Sequence, residues 1–282
     1  MTTTTTRTSA PAAGERPAAA RRDWHGAGFA TQVRVLTGRS LRAMVKDPQV
    51  VIFSLLQPLI MLVLFSQVFG QAMLGSVAEQ GDSYINYLMP AILVTTGIGA
   101  SMQSGVGLIT DMKNGVIARF RSLPIGLSSV LIARSLSDLA RTAAQLVVLL
   151  LVATVLFGFT PAGGLGGVLA ATLLALLVAW ALTWVFLAIA TWVRKEEVMQ
   201  SIGFLAMFPL MFASSAFVPL DTLPAWLRVI AQVNPLTYAV DASRNLALSL
   251  PVGSGVVMAV ATSAVLCLAG IAFAVKGFRR PL

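Results

Sequence analysis

The residues that can do chemistry are few, and most stand at the ends of long apolar runs. His25 and Cys267 are each the sole residue of their type. Cys267 lies inside an apolar stretch with no companion for an intrachain disulfide or a metal, so it reads as a buried apolar cysteine. His25 has no visible catalytic partner. Ser104 and Ser215 are candidate nucleophiles, but no His, Asp or Glu shares their apolar runs, so an activating base is missing. The phosphate-cradling pattern G-x-x-x-x-G-K-[ST] does not occur, and ATP is not bound by that device. No catalytic residue, metal or cofactor is expected on this chain. What remains is SSAFVPLDTLPAWLRVIAQVNPLTYAVDASRN, Ser214 to Asn245, with three prolines, two aspartates, two arginines and a tryptophan between two apolar runs. Residues of these types cap, kink and anchor helices; their chemistry is mechanical.

The elements around them belong to a membrane. Of the 282 residues 57% are hydrophobic and 11% charged, with mean hydropathy +0.83, whereas a soluble domain carries about 25% charged residues. Windows 48–78, 83–110, 142–193, 198–220 and 245–275 hold no Asp, Glu, Lys, Arg or His. A helix crossing ~30 Å of hydrocarbon needs about 20 apolar residues. The 142–193 window holds two such lengths, broken by the turn residues of Gly158-Phe-Thr-Pro-Ala-Gly-Gly164. The reading is an all-α integral membrane protein with six transmembrane helices, roughly 50–70, 84–110, 139–158, 166–193, 198–218 and 252–275. With the N-terminus in the cytoplasm, all of the 20 basic residues except Arg228 and Arg244 fall on cytoplasmic segments. That asymmetry obeys the positive-inside rule and puts both termini, including the tail 276–282, in the cytoplasm. The net charge of +9 then belongs to loops beside an anionic leaflet, and no soluble basic face exists for nucleic acid. Residues 1–22, Thr/Ala/Pro-rich and aperiodic, read as a disordered cytoplasmic tail. They lack the apolar core of a cleaved signal peptide, so the first span serves as insertion signal.

Ser214 to Asn245 then lies outside, between spans five and six. Pro219 ends or kinks span five. Asp221 or Thr222 can cap a short helix with Pro224 near its first turn. Trp226, Leu227, Ile230 and Ala231 recur at helical spacing. Asn234-Pro235 repeats the start signal and predicts a second helix to about Leu248. The set Phe217-x-Pro219-x-x-x-Leu223-Pro224-x-Trp226-Leu227, Asn234-Pro235-Leu236-Thr237-Tyr238 and Asp241-x-x-Arg244 resembles the signature of type-2 ABC exporter permeases, the ABC-2 membrane family. The resemblance runs from about Val33 onward. It implies a re-entrant extracellular helix pair over 219–248, a dimeric pore of two permease subunits, and ATPases on separate or fused domains.

Two cytoplasmic elements complete the plan. Over residues 23–47, Phe29, Val33, Leu36, Ser40 and Met44 share one helical face, with Arg34, Arg39, Arg42 and Lys46 opposite. This predicts a basic amphipathic helix on the inner leaflet, stopped by Asp47-Pro48; the resemblance makes it the elbow helix beside the ATPase. Between spans two and three, the loop 111–137 contains a turn at Gly115, a short helix Val116 to Phe120, a stop at Pro124, and Ser128 or Ser129 to cap the helix entering span three. By its residues alone, this segment is equally a docking loop or an unpartnered basic loop. Asp111-x-x-x-Gly115 with Arg119-Phe120-Arg121-Ser-Leu-Pro124 is similar to the coupling loop of the daunorubicin/doxorubicin-resistance type of permease, which implies docking on an ATPase. Ala118 departs from relatives that often carry an acidic residue there. Arg194-Lys-Glu-Glu197 reads as a tight cytoplasmic turn.

Carriers driven by protons or sodium keep an ionisable residue at membrane depth, and the five windows hold none. Active transport would therefore draw on a partner: two copies of an ABC ATPase, with ATP and Mg on that subunit. The spans offer Gln57, Ser101, Gln103, Ser104, Thr142 and Gln145, with Met199, Met207 and Met211 beside Phe204, Phe208 and Phe212. For any one of these residues, helix-to-helix glue is the preferred reading. As a set, Gln57, Gln103, Phe208, Met211 and Phe212 suit a pathway for hydrophobic cargo. The expectation is a permease in the bacterial cytoplasmic membrane that exports a drug, antibiotic or lipid and also contacts membrane lipid. Alternatives are an exporter of a lipid-linked glycan or envelope lipid, and a non-transporting anchor or sensor subunit.

Overall fold

The computed structural model describes residues 28–46, 48–70, 83–116 and 127–278. Nine α-helices follow in order among them: α1 Phe29–Lys46, α2 Pro48–Phe69, α3 Tyr84–Lys113, α4 Leu127–Phe157, α5 Gly164–Val193, α6 Glu196–Phe212, α7 Ala225–Val233, α8 Pro235–Ala247 and α9 Ser254–Phe278. A single 3₁₀ turn, Leu220–Thr222, precedes α7. No strand occurs among the described residues. The chain is therefore all-α. Four helices, α3, α4, α5 and α9, are long and apolar enough to cross a membrane. Two shorter ones, α2 and α6, have 22 and 17 residues.

The core is built around α5, which packs along α3 on one side and α9 on the other, with α8 laid across its N-terminal end. Apolar burial cannot drive this association inside lipid, so close backbone approach does. A Cβ on Gly97 of α3 would stand 2.8 Å from that of Ala179, and one on Gly270 of α9 would stand 2.7 Å from the Trp184 carbonyl carbon. Between these seams Ser101 Oγ donates to the Ala179 carbonyl at 2.7 Å, and Thr183 Oγ1 donates to Ser101 Oγ at 3.2 Å.

Helix α4 corrects the expected start of span three. It begins at Leu127, so Ser128 and Ser129 lie within its first turn rather than ahead of it. Ser129 Oγ instead donates to Gln32 Oε1 of α1 at 2.9 Å. Helix α1 packs along this first part of α4, with Leu36 against the core there. Residues 1–27, 47, 71–82, 117–126 and 279–282 fall outside the described residues, and with them the expected N-terminal tail and most of the C-terminal one.

Helix α6 is shorter than the span expected over 198–218. It stops at Phe212, and residues 213–218 are irregular. Pro209 removes one backbone donor from its last turn, and Ser214 Oγ donates back to the Met211 carbonyl at 2.7 Å. The turn between α5 and α6 is also shorter than the expected Arg194 to Glu197. Arg194 takes a left-handed φ of 55° that ends α5, and Glu196 and Glu197 already form the first turn of α6, where their charges complement the helix dipole.

Candidate functional site

The proline-rich stretch folds as a helical hairpin, α7 and α8, clamped onto the ends of α3 and α6. Arg244 is the clamp. Its side chain is almost wholly buried, the residue retaining 5% exposure. Its Nε donates to the Tyr87 carbonyl at 3.1 Å, Nη2 to the Ser215 carbonyl at 2.8 Å, and Nη1 to Asp241 Oδ1 at 2.9 Å. The guanidinium carbon also lies 3.7 Å from the centroid of the Tyr87 ring. A planar fork with several donors suits this geometry; an ammonium does not. Ser215 Oγ donates to Asp241 Oδ1 at 2.6 Å, Tyr87 OH to the Ser215 carbonyl at 3.3 Å and Tyr84 OH to the Phe217 carbonyl at 3.0 Å. The irregular segment after α6 thus has its Ser215 and Phe217 carbonyls satisfied by α3 and α8.

Asn234 works beside it. Its Oδ1 accepts from Leu236 N at 2.9 Å and caps α8, with Pro235 in the first helical position. Its Nδ2 donates to the Leu210 and Ala213 carbonyls at 2.7 and 2.6 Å, so one amide starts α8 and finishes α6. Asp221 and Thr222 do not cap α7, as expected, but form the 3₁₀ turn. Pro224 stands at the N-cap position of α7, and Pro219 precedes the turn. Arg228 reaches back from α7 to the Leu220, Asp221 and Leu223 carbonyls. Tyr238 OH donates to the Gln232 carbonyl at 2.7 Å and closes the elbow between the two helices. Trp226 is 68% exposed.

The opposite end of the bundle carries a second polar cluster. Asp111, in the last turn of α3, pairs with Arg134 of α4. Arg134 also faces Asp138 at 3.6 Å, and Arg141 Nη2 meets Asp138 Oδ1 at 3.1 Å. Ser104 Oγ of α3 donates to Asp138. Lys113 pairs with Glu196 of α6 at 3.2 Å. Gly115 follows with φ 69°, a left-handed turn natural for glycine. The ends of segment 117–126 are therefore tied together at its base. Arg119, Phe120, Arg121 and Pro124 lie outside the described residues.

A family model described as ABC-2 type transporter matches residues 31–248. This chain belongs to that family. The permease is 31% identical over 234 residues to the daunorubicin resistance ABC transporter permease protein DrrB1 of Streptomyces coeruleorubidus, covering 83% of this chain and 78% of the relative. It is 27% identical over 253 residues to a probable doxorubicin resistance ABC transporter permease protein, DrrC, of Mycobacterium tuberculosis, covering 89% and 90%. It is 26% identical over 213 residues to a putative transport permease, ycf38, of Porphyra purpurea, covering 76% and 72%.

Two expectations about this permease change. Ser104 and Ser215 each have a carboxylate at hydrogen-bond distance, Asp138 and Asp241. Sequence windows missed both because the carboxylates come from other helices. Each carboxylate is also engaged by arginine, Asp138 by Arg134 and Arg141 and Asp241 by Arg244. Asp138 keeps only 8% exposure. It belongs to the N-terminal half of α4, ahead of the charge-free run that begins at Thr142.

Of the expected cargo residues, Phe208 and Phe212 lie ring against ring. Gln57 and Gln103 are exposed on α2 and α3. Phe204, Phe208 and Phe212 form an outward ladder on α6, with centroid separations of 6.1 and 5.0 Å, continued by Phe217 and Phe65. Met211 and Met207 turn the other way, against the core. Tyr84, Tyr87 and Ser215 complete the clamp and were not foreseen as a site. Two of the chain's 3 tyrosines standing one helical turn apart at the start of a span were the available signal.

Proposed function

We propose that this permease is the membrane subunit of an ATP-driven exporter for hydrophobic or amphipathic cargo of the drug or antibiotic class. Its six spans are α2, α3, α4, α5, α6 and α9, with α7 and α8 as a re-entrant pair at the outer face and both termini in the cytoplasm of a bacterium. Two permeases line the pathway, and two copies of a separate ABC ATPase, which bind the ATP and Mg, dock from below. The observation that carries this reading is the continuous match to the ABC-2 family over residues 31–248, from α1 to the end of the hairpin. The relatives' names supply the cargo class, since two are drug-resistance permeases over most of their length.

The geometry supports a division of labour. At the inner end Asp111 and Arg134 close the base of the loop that carries Arg119 and Arg121, so a push on that loop reaches α3 and α4 together. At the outer end Arg244 and Asn234 bind the hairpin to α3 and α6, so relative movement of those helices moves the hairpin. The experiment is co-expression of the tagged full chain with an ABC ATPase from the same genome. The reading expects a complex with two ATPases per two permeases and raised ATP turnover. A monodisperse permease that never retains an ATPase contradicts it.

A further inference from the structure

Helix α6 packs on α3, yet no packed seam joins it to α9. The gap is an apolar cleft of about 80 Å³, several times the roughly 10–15 Å³ that one water centre needs. Met207 and Leu210 of α6 form one wall, Ala259 and Leu266 of α9 the other, and Phe186 of α5 part of the floor; Pro235 of α8 lies at the roof. Ala259 to Leu266 spans two helical turns, about 10 Å. One polar side chain breaks the apolar lining without a partner of its own. Ser263 lines the cleft with 4% exposure and makes no hydrogen bond among the described residues. Its neighbour Thr262 satisfies itself by donating to the Met258 carbonyl at 2.7 Å. Both walls belong to helices whose outer faces are apolar and exposed, Leu205 on α6 and Leu268 on α9, so the cleft opens toward the hydrocarbon and not toward water.

We propose that this cleft is a binding site for the alkyl part of a membrane-dissolved amphiphile, with Ser263 hydrogen-bonding its single buried polar group. A ligand carbonyl or hydroxyl would give the Ser263 hydroxyl a partner within an apolar lining; a dry hydrocarbon lining rejects anything more polar. The proposal rests on the membrane placement of α6 and α9 and not on ATP-driven export, so the two stand or fall separately. Membrane lipid and cargo share this chemistry.

The test is photolabelling of the purified full chain in nanodiscs of phosphatidylglycerol and phosphatidylethanolamine, with a diazirine-bearing hexadecanol as probe and mass-spectrometric mapping. Saturable labelling is expected at residues 207–210 and 259–266, against non-saturable labelling at Leu205 and Leu268, which also reports the fold of each variant. Ala206→Trp, at the mouth, should lower cleft labelling at least ten-fold. Ser263→Ala should weaken it several-fold, and Ser263→Thr should preserve it. Displacement by added phosphatidylglycerol alone makes the occupant a resident lipid; displacement by daunorubicin makes it cargo, and either result supports the site. Cleft labelling no more saturable than that of Leu268, unchanged labelling in both Ala206→Trp and Ser263→Ala, or displacement by neither competitor overturns it.

Discussion

The guanidinium of Arg244 lies over the ring of Tyr87, 3.7 Å from its centroid, and donates to the carbonyl of the same residue at 3.1 Å. The two are 157 positions apart in the chain. This contact ties the hairpin to the start of α3 and makes Arg244 a mechanical residue. Its loss takes one donor from each of the Tyr87 carbonyl, the Ser215 carbonyl and Asp241, leaving Tyr87 OH and Ser215 Oγ to serve the last two. Arg244→Ala should destabilise the folded permease by about 3 kcal/mol, at the low end for breaking a buried pair because Asp241 is partly exposed. Arg244→Lys should recover less than half of that, since a point charge cannot serve three divergent acceptors. Thermal unfolding in detergent, followed by size-exclusion fluorescence, reads both; a lysine variant as stable as the parent would remove the directional role.

Asn234 allows its two jobs to be separated. Asn234→Asp keeps the acceptor that caps α8 but loses the donors to Leu210 and Ala213. Asn234→Ala loses both. The aspartate variant should therefore loosen the end of α6 while α8 persists, and the alanine variant should cost about 1 kcal/mol more from the missing cap. Hydrogen exchange over residues 205–216 and 235–247 distinguishes the two. Equal protection of both segments in the aspartate variant contradicts the assignment.

The inner cluster predicts a charge-swap rescue. Asp111→Arg and Arg134→Asp should each reduce ATPase co-purification several-fold, with insertion and monodispersity retained. The double swap should restore more than either single variant, because contacting residues couple by roughly 0.5–3 kcal/mol. Gly115→Ala should also weaken association, since its φ of 69° costs a residue with a Cβ about 1–2 kcal/mol. Simple additivity in the swap pair would show that the two residues do not act on docking together.

Close helix packing gives a test independent of function. Gly270→Leu would drive its side chain into the α5 backbone at Trp184, and overpacking of this kind costs about 1–3 kcal/mol. Gly255→Leu, at the start of the same helix in open space, should be close to neutral. Melting temperatures of the two variants suffice; similar values would mean that α9 does not pack on α5 as described.

Much of this was legible from residue order because local rules govern it. Asn234-Pro235 marks the start of α8, Pro48 opens α2, and Gly158 to Gly163 separates α4 from α5. The site residues of the hairpin were legible by type for the same reason. Their partners were not. Tyr87 and Ser215 reach Arg244 only through tertiary contact, and apolar windows say nothing about which turn of α3 faces α8. Asp138 fell between the expected loop 111–137 and the expected span from 139 and received no role, because α4 starts at Leu127, well before the apolar run begins. The outward ladder Phe204, Phe208 and Phe212 and the inward Met207 and Met211 share one apolar segment. Composition could not divide them between two faces, whereas the packing of α6 on α3 does.

The central claim is that a partner's ATP hydrolysis, transmitted through α3 and α4, drives cargo past the hairpin. Inside-out vesicles containing the permease and its co-expressed ATPase, supplied with daunorubicin, test it most directly. ATP should drive accumulation that vanishes without the permease and falls at least ten-fold in Arg244→Ala at equal complex content, while an imposed proton or sodium gradient alone should move nothing. Uphill accumulation on an ion gradient without ATP would contradict the account.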